Sequence, residues 1–156
     1  MSGAGAPEIA ADGTGFKITI VAGLWHTEIA EALVAGAKRV LDASGAEVTV
    51  IRVPGSFELP VVAKAAIANG AHGVVALGVI IRGGTPHFEF VSNAATNGLT
   101  QVALDTGRPV GFGVLTLDDE QQGIDRSGLP GSKEDKGAEA AEAVLATCIV
   151  LREMPK

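Results

Sequence analysis

Cysteine, tyrosine and tryptophan are nearly missing from this chain of 156 residues, which has one Cys, no Tyr and one Trp. A single thiol excludes an internal disulfide framework. Cys148 falls on the apolar stripe of an expected helix, where it reads as a buried structural thiol rather than a nucleophile. Five Phe supply the rest of the aromatics against 47% hydrophobic residues, so the core must be aliphatic. Long apolar runs are absent as well: nothing approaches the ~20 residues needed to span a bilayer. Residues 1–15 are small, polar and acidic, without the cationic start or apolar run of a signal peptide, so a cytoplasmic location is expected. Positive charge is also scarce. Twelve Lys and Arg against 18 Asp and Glu give a net charge of −6, which leaves no broad cationic field for nucleic acid or anionic lipid.

What is present is a glycine-punctuated alternation of apolar runs. The length suits one compact domain, expected to span 16–156 behind a flexible segment 1–15. Residues 16–22 form a short β-branched run of the kind buried on both faces of a sheet, and 48–53, 74–81 and 109–117 read as three further strands. Between them the period changes to that of a helix. Ile29, Leu33, Gly36, Ala37, Val40 and Leu41 share one face, with Thr27 as expected N-cap and Gly45 as stop. Ser56 can cap a helix reaching Asn69 and Gly70, in which Pro60 is tolerable only near the start. A long helix is expected over 87–106. Asp118, Asp119 and Glu120 favour the start of a short one, and a polar loop over 128–136 leads into a final helix carrying Ala138, Ala141, Val144, Leu145, Cys148 and Leu151 on one side. Strands alternating with helices imply right-handed crossovers, hence a flavodoxin-like three-layer α/β/α fold with a four-stranded parallel sheet. Ligands of such sheets bind beyond the carboxyl ends of the strands, and the loops after the strands are where chemistry is to be sought.

The first of these loops holds Trp25 and His26. An indole there can stack on a planar ring, or simply cover the edge of the core. The second, Val53-Pro54-Gly55-Ser56-Phe57-Glu58, sets a carboxylate in a first helical turn, able to accept hydrogen bonds from ligand hydroxyls or merely to complement the helix dipole. The third, Ile80-Ile81-Arg82-Gly83-Gly84-Thr85-Pro86-His87, lets backbone amides approach an anion at a helix start, although glycine pairs also serve turns alone. His87 follows at once, and histidine is the side chain suited to passing protons near neutral pH. Metal binding is disfavoured, because Glu89 two residues on points to another side of the helix and no zinc spacing occurs elsewhere. Arg126 suits bidentate phosphate recognition or is a solvated surface arginine, and Lys133 to Lys136 read as a charged loop and helix start.

Three ordered stretches, Val53-Pro54-Gly55-Ser56-Phe57-Glu58-Leu59-Pro60, Gly78-Val79-Ile80-Ile81-Arg82-Gly83-Gly84-Thr85-Pro86-His87-Phe88 and Gly123-Ile124-Asp125-Arg126-Ser127-Gly128, together resemble the lumazine synthase family. The likeness runs over about 16–154. It implies condensation of 5-amino-6-(D-ribitylamino)uracil with 3,4-dihydroxy-2-butanone 4-phosphate to 6,7-dimethyl-8-ribityllumazine, phosphate and water, in riboflavin biosynthesis, with no metal or organic cofactor. By similarity Trp25 stacks on the pyrimidine, while Ser56, Phe57, Val79, Ile80 and Ile81 meet that ring or its side chain, Glu58 holds the ribityl chain, and His26 stands where many relatives have Asn. Gly84 and Thr85 match the phosphate turn and His87 the proton-transfer residue. Arg126, Phe112 and Lys136 match residues that complete the site from a neighbouring subunit. A homopentamer is therefore implied, with riboflavin synthase as a candidate partner and the leading segment as a candidate strand on the adjacent subunit's sheet. Shell-forming relatives carry a short turn where this chain has the longer stretch 128–137, so a pentamer without a sixty-subunit shell is expected.

Two other readings compete. Flavodoxin-like sheets also serve non-enzymatic flavin carriers, which would purify with bound flavin and show no turnover. A riboflavin synthase of the related fold would dismutate two lumazines and have no use for a phosphate turn.

Overall fold

The computed structural model describes residues 4–7 and 9–156. Four strands, β1 (Lys17–Gly23), β2 (Glu47–Val53), β3 (Gly73–Ile81) and β4 (Val110–Leu117), form one sheet in the order β2-β1-β3-β4, with every pairing parallel. The helices are α1 (Thr27–Ser44), α2 (Leu59–Ala68), α3 (His87–Thr106), α4 (Glu120–Asp125) and α5 (Lys136–Glu153). The expected three-layer α/β/α arrangement is present.

Alternation along the central strands decides which helix covers which face. Ile18, Ile20, Val75, Leu77 and Val79 pack with Leu33, Leu41, Val144 and Leu145 from α1 and α5. Val21, Val74, Ala76 and Ile80 pack on the other side with Leu59, Ala63, Leu99 and Val102 from α2 and α3. Cys148 is buried in the first cluster, and loss of hydration pushes its thiol up to about 11, which keeps it protonated and inert. Leu151, expected on the same stripe, is exposed beyond the end of that core.

Two helix starts differ from the sequence-based expectation. Thr27 is the first residue of α1 and not its cap; the chain enters the helix through His26 at φ 57°, ψ 67°, whose carbonyl accepts the Ala30 N–H at 2.9 Å. Ser56 opens a 3-10 turn, Ser56–Glu58, and α2 follows only at Leu59, with Pro60 in its first turn. Proline is the physical reason. A helix capped by Ser56 would set the ring of Pro60 against the Ser56 carbonyl, whereas a tight turn moves the proline to a position that needs no N–H. Gly45, in contrast, ends α1 in the left-handed conformation expected of it, at φ 84°. Of the leading segment expected to be flexible, residues 1–3 and 8 lie outside the described residues, while Ala11 packs on the α1/α5 core and Gly13 N–H donates to the Ser44 carbonyl at 2.9 Å.

Candidate functional site

The carboxyl ends of β1, β2 and β3 open into a cavity of about 510 Å³. It is lined by Trp25 and His26 after β1, by the 3-10 turn with Gly55 after β2, by Val79 to Ile81 at the end of β3, and by one face of α3. Glycine sets the approach of these parts. A Cβ on Gly55 would lie 3.1 Å from Cδ1 and 3.2 Å from Nε1 of Trp25, so the indole rests on the bare backbone of that loop. A Cβ on Gly78 would collide with Ser56, which is how the 3-10 turn can settle onto β3. Trp25 remains 67% exposed and carries its ring at the rim, 6.3 Å from the His26 ring at a tilt of 46°. One side of an exposed indole beside an apolar floor is what a planar ligand needs.

Polar groups enter this pocket sparingly. Glu58 is half-buried at the end of the 3-10 turn. His87 is the first residue of α3, preceded by Pro86, and no side chain caps the free amides of that helix end. The adjoining Gly83 and Gly84 face open space, as a Cβ on either would touch nothing within 4 Å. Backbone amides at this end can therefore reach an anion. Gly84 and Thr85 are exposed and stand outside the lining of the cavity itself.

Of the expected site residues, the cavity gathers Trp25, His26, Ser56, Phe57, Glu58, Val79, Ile80, Ile81 and His87. It does not gather Phe112, Arg126 or Lys136. Phe112 lies on edge strand β4, 48% exposed. Arg126 follows α4 and donates from Nη1 to the Gln122 carbonyl at 2.9 Å. The Lys136 backbone N–H donates to the Arg126 carbonyl at 2.9 Å, so these two cations flank one junction. The Lys136 ammonium lies 2.9 Å from Glu134 and 2.8 Å from Glu139. Burial opposes its charge, but the hydrogen bonds to Glu139 and Glu134 outweigh this and hold it above the ordinary lysine value. Sequence reasoning missed Phe90 as a lining residue; its position three after His87 puts it on the same helical face, which was the available signal. Among the described residues no group of three or more His, Cys, Asp or Glu could hold a metal ion, and no helix is long and apolar enough to cross a membrane.

The architecture agrees with what the chain resembles. The family model described as 6,7-dimethyl-8-ribityllumazine synthase matches residues 15–152. The protein of that name from Clavibacter sepedonicus is 72% identical, with 97% of each chain covered. Its counterpart in Clavibacter michiganensis subsp. michiganensis is 69% identical over 99% of this chain and 98% of its own. A Streptomyces avermitilis protein of the same name is 54% identical over 99% of this chain and 97% of its own. With matches of this extent across both cavity and scaffold, the chain belongs to the 6,7-dimethyl-8-ribityllumazine synthase family of enzymes.

Proposed function

We propose that this enzyme condenses 5-amino-6-(D-ribitylamino)uracil with 3,4-dihydroxy-2-butanone 4-phosphate to give 6,7-dimethyl-8-ribityllumazine, phosphate and water, the penultimate step of riboflavin biosynthesis. The observation that carries the reading is the union, in one apolar cavity, of an exposed indole on a glycine backbone, a carboxylate and a helix-start histidine. Trp25 stacks on the pyrimidine, Glu58 accepts hydrogen bonds from ribityl hydroxyls with His26 nearby, and the Gly84–Thr85 turn takes the phosphate. The amine attacks the ketone and water leaves to form an imine. His87 then moves protons as phosphate is eliminated, and the resulting enol, as its keto tautomer, is closed onto by the ribitylamino nitrogen with loss of water. Holding two reactants in register supplies much of the acceleration, up to roughly 7–11 kcal/mol in favourable intramolecular cases.

The site is shared between subunits in this reading. Phe112, Arg126 and Lys136 lie outside the cavity of their own chain and serve a neighbour's, Arg126 as a phosphate ligand, within a homopentamer. Exposed Trp25, Phe57, Phe90 and Phe112 supply apolar surface for such a contact. A cytoplasmic location and association with riboflavin synthase accompany this assignment. Incubation of the purified chain with both substrates should yield the fluorescent lumazine and release phosphate. Bound flavin without turnover would favour a carrier, and consumption of lumazine alone would favour a riboflavin synthase.

A further inference from the structure

Arg82, the residue after β3, joins α3 and the loop after β4 through one side chain. Its Nε donates to Asp118 Oδ1 at 3.0 Å, its Nη1 donates to Glu89 Oε1 at 2.6 Å, and its guanidinium carbon lies 4.3 Å from the centre of the Phe88 ring. Its backbone N–H donates to the Leu117 carbonyl at 2.7 Å. Phe88 and Glu89 belong to the first turn of α3, directly after His87, and Asp118 begins the loop after β4, where its own N–H donates to Gln122 Oε1 at 2.8 Å. The residue before the glycine turn is thus fastened to the two residues that follow His87.

That turn has little else to hold it. Gly83 and Gly84 contribute no side chains and a Cβ at either would meet open space, so the unclamped backbone is free to vary. We propose that Arg82 is a positioning residue for the anion-binding turn, fixing Gly84, Thr85 and His87 against the end of β3 without touching the ligand. The proposal rests on the phosphate role given above to that turn. Arg82 is a poor anion receptor itself, because its Nε and Nη1 donate to two carboxylates whose charge opposes an anion beside it, and its face lies on Phe88. Hydrogen bonding to Arg82 holds the Glu89 carboxyl below the usual carboxylate range. Arginine suits this task and lysine does not, since the planar fork serves two acceptors and an aromatic face together. Removing it would also leave the charges of Glu89 and Asp118 uncompensated beside the phosphate turn.

The test is kinetic, on the assembled enzyme. Arg82→Gln should raise KM for the ketone phosphate and the inhibition constant of inorganic phosphate about tenfold, with KM for the pyrimidine altered less than about twofold. Its melting temperature should stay within about 3 °C, because exposed ion pairs add little to global stability. Arg82→Lys should fall between, and Glu89→Gln should weaken phosphate by less than Arg82→Gln does. Equal losses for both substrates, or unchanged phosphate inhibition, would overturn the proposal. Should Arg82→Gln fail to fold, Arg82→Lys carries the same comparison, because it keeps the positive charge and removes the planar fork that joins two acceptors. If the wild-type chain makes no lumazine the functional reading fails, and calorimetric titration of these variants with inorganic phosphate still decides whether the clamp orders an anion site.

Discussion

At the residue scale the site combines a strained backbone position, His26, with a histidine at a helix start, His87. His26 is the only non-glycine among the described residues with positive φ, and it sits between the cavity's indole and the start of α1. Left-handed backbone is disfavoured by a Cβ, least for Asn and most for β-branched residues. His26→Asn should therefore be neutral or stabilising by up to about 1 kcal/mol, while His26→Val should lose about 1–3 kcal/mol. Thermal unfolding of both variants checks this, and equal melting temperatures would remove the strain argument. At His87 the expectation concerns rate. His87→Ala should slow turnover by about one to two orders of magnitude without abolishing it, as one general acid–base contributes only part of the acceleration. The chain should still fold, because that side chain is exposed. Unchanged turnover at saturating substrate would reject the catalytic assignment.

Elements meet most closely where α5 crosses α1. A Cβ on Gly137 would run into the backbone of Leu33, which cannot swing aside as a side chain can, and Asp135 caps α5 while its carboxylate pairs with Arg39 at 2.6 Å. Gly137→Ala should thus cost about 1–3 kcal/mol through overpacking and shift Lys136, the adjacent residue. Gly83→Ala, facing open space, is the matched control and should change stability by less than about 0.5 kcal/mol. Urea unfolding of the two variants separates them, and equal midpoints would count against the close crossing. Such contacts mark the boundary of what sequence can express. The strands and the end of α1 were legible because short β-branched runs and a glycine stop are local signals, and burial on both faces holds for the central β1 and β3 but not for the edge strand β2. Thr27 and Ser56 misled as caps, since the backbone turned at His26 first and Pro60 delayed α2. Trp25, Glu58 and His87 could be placed at one sheet edge from topology alone. Phe90 shares the helical face of His87 by spacing, but an apolar residue on a helix looks like core until its neighbours are known. Arg126 offered only its residue type, Phe112 and Lys136 no signal of a site, and the sharing of all three rested on resemblance.

For the whole molecule, the division of site residues between a cavity and surfaces outside it makes assembly the decisive property. A single chain leaves Trp25, Phe57 and Phe90 exposed around an opening that lacks a strong phosphate cation of its own, while Arg126 and Lys136 sit together elsewhere. In the proposed homopentamer, cyclic closure would let each subunit lend these residues to the next. The expected particle is a homopentamer that does not go on to a sixty-subunit shell. The reason lies in the stretch before α5. Gly128 and Gly131 take left-handed backbone at φ 73° and 86°, Lys133 and Glu134 N–H groups both donate to the Asp125 carbonyl, and Ser127 bridges to Asp135. The loop is therefore a defined turn held against α4, not slack chain, and it carries Pro130, Glu134 and Asp135 where the resemblance implies a shorter turn in shell-forming relatives. The expectation is that this turn alters the angle at which pentamers would meet and so stops assembly at five subunits. Mass photometry at working concentration should show one species of five chains, and a dominant sixty-subunit particle would sink the prediction. Sharing itself is tested by reassembly. Chains inactivated by His87→Ala/Thr85→Ala and chains inactivated by Arg126→Ala should regain activity when unfolded and refolded together, because some interfaces then pair an intact cavity with an intact Arg126. A stable, active monomer, or no recovery in proven mixed pentamers, would show that each chain works alone or that Arg126 serves its own subunit.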